Sequence, residues 1–140
     1  MKIILRSFYL IILTISFLSC AAQNNLEILN TVEYKAHTRG NNETVKVIGK
    51  TLSYKSVNEE KIVDLREEQI KAINEVVFGM NLSKISDLKA PSDKRYSDGA
   101  MIASFIITKD KVDYKSSEFD HGNPPKELKT LYELLYKYIK

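Results

Sequence analysis

Side chains able to do chemistry gather in two stretches of this sequence. Ala90-Pro-Ser-Asp-Lys-Arg-Tyr-Ser-Asp-Gly99 carries Ser92, Asp93, Lys94, Arg95, Ser97 and Asp98, and Phe119-Asp-His-Gly-Asn-Pro-Pro125 carries Asp120 and His121. Carboxylates beside a histidine favour its charged form and let it work as a proton-transfer group. A serine in reach of that histidine would be an activated nucleophile, with His121 as base, Asp98 or Asp120 as orienter, and Ser92, Ser97, Ser116 or Ser117 as the attacking group. None of these serines sits in a Gly-x-Ser-x-Gly elbow, and there is no Gly-rich phosphate loop. Asp98, Asp120, His121 and His37 also offer oxygen and imidazole donors suited to zinc or manganese, yet no His-x-x-x-His or Asp-x-Asp spacing arranges them as ligands. The same residues have a structural use. Arg95 would pair with Asp98 or Asp120, while Asp120, His121 and Asn123 would satisfy backbone amides at the start of the last helix. No cofactor is expected from this pattern.

For the two stretches to work together, the chain between them must fold back. A hairpin turning at Lys109 to Lys111 does so and sets Asp98 and Gly99 opposite Asp120 and His121. Its first arm, Ala100 to Thr108, is apolar on both parities and predicts a heavily buried strand. In its second, Val112 and Tyr114 alternate with Asp113 and Lys115 up to Phe119. Upstream, Val32, Tyr34 and Ala36 alternate with Glu33, Lys35 and His37. After a loop from Arg39 to Glu43, Val45, Val47, Leu52 and Tyr54 continue the pattern across Gly49-Lys50, giving a three-stranded meander. Asp64-Leu-Arg-Glu67 has the form of a capping box and opens a helix with Ile70, Ile73 and Val77 on its apolar stripe and Gly79 at its stop. Asn123-Pro-Pro125 opens a second, with Asn123 as cap and Leu128, Leu131, Tyr132, Leu135 and Tyr138 on the buried stripe, leaving Tyr136 and Tyr114 outward. The order β-β-β-α-β-β-α predicts an α+β fold, an antiparallel sheet of about five strands with two helices packed on one face and Ile73, Val77, Phe105, Leu131 and Leu135 in the core.

At 140 residues the chain has room for one ordinary domain. Its 21 Lys and Arg against 18 Asp and Glu include Lys2 and Arg6, which precede an uncharged run from Ser7 to Ser19 and then the sole cysteine, Cys20. That is the layout of an export signal, since thirteen residues make only about 20 Å of helix against a hydrocarbon core of about 30 Å. Phe17-Leu-Ser-Cys20 is similar to a bacterial lipobox, in which the cysteine thiol takes a diacylglycerol before cleavage; ordinary cleavage after Ala22 is the alternative. The expected organisation is a lipoprotein-type signal peptide over 1–19, lipidated Cys20 and a short tether over 20–26, and one domain over 27–140. Lipidation of Cys20 leaves the mature chain without a thiol, hence without disulfides or Cys ligands. With the leader removed the charge is nearly balanced, so nothing marks a nucleic-acid partner.

Taken together, Tyr34-Lys-Ala-His-Thr-Arg-Gly40, Ala90-Pro-Ser-Asp-Lys-Arg95 with Asp98-Gly-Ala100, and Phe119-Asp-His-Gly-Asn-Pro-Pro125 resemble a group of small exported proteins of Bacteroidota that have no assigned activity. The resemblance implies a fold and a cell-envelope location and transfers no catalytic residue. The function expected from all this is a membrane-anchored, non-enzymatic module that binds a protein or small ligand through the end of the sheet bearing Arg39, Arg95 and His121. A small hydrolase or metal-dependent enzyme using His121 with Asp98 or Asp120 is the rival reading, and inhibition of an envelope enzyme through the Arg39 to Glu43 loop is a third.

Overall fold

Period-two alternation, which makes one strand face apolar and the other polar, folds into a seven-stranded antiparallel sheet in a computed structural model that describes residues 29–140. The expected leader, Cys20 and the tether to residue 26 lie outside the described residues. The strands are β1 (Leu29–Thr38), β2 (Asn41–Ile48), β3 (Thr51–Ser56), β4 (Glu60–Asp64), β5 (Ile102–Lys109), β6 (Val112–Lys115) and β7 (Phe119–Asp120), with helices α1 (Glu67–Phe78) and α2 (Lys126–Ile139). Their spatial order is β4-β3-β2-β1-β5-β6, and β7 also pairs with β5. The fold is α+β, as the patterning indicates, with two strands beyond the five expected. Glu60-Lys-Ile-Val-Asp64 has no alternation to announce a strand, and it becomes β4 because Leu52 of β3 finds Val63 opposite. The Arg39 to Glu43 loop is likewise absent as a loop. β1 and β2 pair out to Thr38 and Asn41, leaving a two-residue turn in which Gly40 takes a φ of 138°.

Both helices cover one face of the sheet. Val32, Tyr34 and Ala36 of β1 lie opposite Ile107, Phe105 and Ala103 of β5, all buried, and Ile73, Val77, Leu128, Leu131 and Leu135 close over them. The predicted core residues are therefore all in the core. β5 is less symmetrical than expected: Ala103, Phe105 and Ile107 are buried, while Ile102, Ser104 and Ile106 on the uncovered face are half-buried.

Neither helix starts where its local motif indicates. Asp64 closes β4 opposite Thr51, and the Leu65 N–H donates to the Lys50 carbonyl at 2.7 Å, so the chain stays extended two residues longer. Gln69 Oε1 then accepts the Arg66 N–H at 2.9 Å, the part expected of Glu67. Pro125, φ −49°, precedes the first residue of α2, and Asn123 is used elsewhere. α1 does end at Gly79, in right-handed backbone at φ −74°.

Candidate functional site

The β5–β6 hairpin turns through Asp110 and Lys111, both at positive φ, and its register slips by one residue before β7. Ile106 faces Lys115, but Ala103 faces Phe119 and Ile102 faces Asp120. The cause is a bulge at Ser116, whose N–H donates to the Phe105 carbonyl at 2.9 Å while its hydroxyl accepts the Phe105 N–H at 2.9 Å. Past the bulge the His121 N–H donates to the Met101 carbonyl at 2.9 Å, continuing the ladder. Consecutive residues of an extended chain point to opposite sides, so Asp120 and His121 diverge. The single cluster read from the sequence becomes two.

On one side Asp120, 2% exposed, ties down the 92–96 segment. Its carboxylate accepts the Ser92 hydroxyl at 2.5 Å, the Lys94 and Arg95 backbone N–H groups at 2.9 Å each, and Arg95 Nη1 at 3.1 Å. Arg95 Nη1 also donates to the Ser92 carbonyl at 2.6 Å, and Asn123 Nδ2 donates to the Ser92 hydroxyl at 2.8 Å. Burial pushes the Asp120 carboxyl up, but the donors from Ser92, the two amides and Arg95 outweigh it and hold the group well below the ordinary carboxylate range. For Arg95 the same contest, burial against bonds to Asp120 and Tyr96, leaves the guanidinium more firmly charged. The expected pairing of Arg95 with a carboxylate is made with Asp120. Asp98 is exposed, in left-handed backbone at φ 56°, and no hydrogen bond or ion pair among the described residues joins it to Arg95 or His121.

On the helix side His121 meets an aromatic group instead of carboxylates. Its Nδ1 lies 2.7 Å from the hydroxyl of Tyr34, which is fully buried under Tyr132 and Tyr136 at ring separations of 5.4 and 5.9 Å. Burial raises the Tyr34 pKa far above its ordinary value, helped by Tyr132 and by the negative charge of Glu43, and the Gly122 amide only partly offsets it. The phenol therefore keeps its proton, and its hydroxyl occupies Nδ1 of the half-buried His121 ring. Glu43 accepts the hydroxyls of Tyr136 and, at 3.4 Å, of Tyr54. Tyr132 is also raised, by burial and then Glu43. Tyr34, Glu43, Tyr132 and Tyr136 were not legible as site residues, and Tyr136 is half-buried rather than outward. The four-residue spacing of Tyr132 and Tyr136, whose rings lie 4.4 Å apart, was the available signal.

Of the remaining candidates only Ser92 belongs to a cluster, that of Asp120. Arg39 and His37 are exposed at the β1–β2 end. Ser92 bonds Asp120, Ser97 bonds the Lys94 carbonyl, Ser116 holds the bulge, and none of the four serines is bonded to His121. Among the described residues no three His, Cys, Asp or Glu side chains are grouped to hold a metal ion. No family model, curated protein or solved structure matches the chain.

Proposed function

We propose that the protein is an exported, lipid-anchored module of the cell envelope that binds a protein or small ligand at the hairpin mouth and performs no reaction. The observation that carries this reading is how the mouth is held. Asp120 and Arg95 lock the 92–96 segment to β7, and Asn123 fixes the approach to α2 to the same Ser92 hydroxyl, so two stretches distant in the chain present one rigid surface. Such preorganisation suits binding, because little side-chain and loop freedom is lost when a ligand arrives. It suits hydrolysis poorly. The His121 Nδ1 is spent on a phenol that resists ionisation, and the one serine hydroxyl that Asp120 accepts, that of Ser92, meets a carboxylate whose four donors leave it a weak base.

The anchor rests on Lys2, Arg6, the uncharged run and Cys20, with only eight residues between Cys20 and Leu29, so acyl chains would hold the domain close to a bilayer. Produced in its host, the wild-type protein should partition into a detergent phase and Cys20→Ala into the aqueous phase; both in the aqueous phase overturns the anchor. Against a panel of ester, phosphoester and peptide substrates, wild type and His121→Gln should show the same background turnover. A wild-type rate that falls by about 100-fold or more in His121→Gln, the usual weight of a catalytic base, would make the protein a hydrolase.

A further inference from the structure

Beside the clasp, on the side away from Tyr34, an open groove runs between the 86–90 stretch, the 93–96 turn and the bulge at 115–118. Among the described residues the buried side-chain polar atoms without a hydrogen-bond partner are Arg95 Nε and Ser117 Oγ, and both residues line this groove. Arg95 is 9% exposed and its guanidinium is held from two directions. Nη1 faces inward to Asp120 and the Ser92 carbonyl. Nη2 faces outward to the Tyr96 hydroxyl at 3.1 Å and Asp93 at 3.2 Å, and those two side chains are about three-quarters exposed. The edge formed by Nε and Nη2 is one of the two edges on which a guanidinium takes a carboxylate through parallel N–H···O bonds. Here one of its donors is unpaired and the other is engaged only by surface groups, one of them a carboxylate.

We propose that this groove is a carboxylate-binding site. The ligand's two oxygens take the Nε and Nη2 donors of Arg95 in place of Asp93, the Ser117 hydroxyl donates a further bond, and Leu88, Ala90 and the Tyr96 ring, which already lies 4.3 Å over the guanidinium, receive the apolar part of the ligand. A singly charged carboxylate fits better than a dianionic phosphate, because Asp93, Glu118 and Asp120 balance Arg95, Lys89 and Lys115 around the groove. The carboxylate belongs to a peptide C-terminus or to a small free acid.

This inference rests on the binding reading above, and its test is independent of Cys20 and His121. Full-length protein labelled with 15N at arginine Nε is titrated with acetate, with N-acetyl-Ala-Ala and with N-acetyl-Ala-Ala amide, following the Arg95 Nε–H resonance. Both acids should move that resonance saturably and the amide should not; tighter binding of the dipeptide assigns a peptide terminus, equal binding a small acid. Asp93→Asn, which removes the competing carboxylate, should tighten binding, and Ser117→Ala, which removes a donor with no partner in the folded protein, should weaken it by about 3- to 10-fold. No saturable shift up to about 10 mM acid, an equal response to the amide, or unchanged affinity in both variants overturns the site. That failure, with the Cys20 and His121 results standing, would leave an anchored module that binds something other than a carboxylate.

Discussion

Asp120→Ala is expected to lower the free energy of unfolding by about 3 to 5 kcal/mol, because it leaves the Arg95 guanidinium buried beside two amides that have lost their acceptor. An exposed ion pair would be worth about 1 kcal/mol or less, so the size of the loss reports burial. Urea unfolding followed by circular dichroism measures it, and a loss under about 1 kcal/mol would mean that the clasp does not hold the mouth. The acid limb gives an independent check. Because the folded-state pKa of Asp120 lies below its unfolded value of about 3.9, its contribution is fully present above that pH and is lost as pH falls through the folded pKa. The wild-type stability curve should therefore drop more steeply below about pH 4 than that of Asp120→Asn, whose side chain does not titrate. Parallel curves would contradict the assignment.

Phe105→Ala should cost about 3 to 5 kcal/mol by transfer and cavity terms together. Phe105 is fully buried, its ring lies 5.1 Å from Tyr34 and 6.1 Å from Phe119, and it faces Tyr34 across the β1–β5 ladder. A domain of this size is stable by about 6 to 16 kcal/mol, so the loss is a large fraction of the total and the variant should unfold at visibly lower urea. Ile62→Ala, on a residue 70% exposed, should stay within about 0.5 kcal/mol and serves as the control. Similar losses for the two would show that the covered face has been misidentified. Phe119 adjoins Asp120, so a cavity at Phe105 should loosen β7, and the Phe105→Ala and Asp120→Ala losses should not add.

Burial periodicity made much of this protein legible. Val32, Tyr34 and Ala36, then Val45 and Val47, then Leu52, needed only the strand's two-residue repeat to be placed on one face, and Ile73, Val77, Leu128, Leu131 and Leu135 needed only the helical one. The turn at Lys109 to Lys111 likewise sufficed to bring the Arg95 and Asp120 stretches together. These features follow from local sterics and from where apolar side chains must go, both carried by neighbours in the chain. The partner of His121 is of another kind. It turned on one extra residue at Ser116, which shifts the register and, with the alternation of side chains along the strand, sends Asp120 to Arg95 and His121 to Tyr34. The same holds for Glu43, which meets Tyr136 only because α2 crosses the sheet at that point, and for β4, whose strand state was conferred by β3. Pairings of this sort depend on register and on how a helix docks, free energies summed over contacts distant in the chain, so only the tertiary structure decides them.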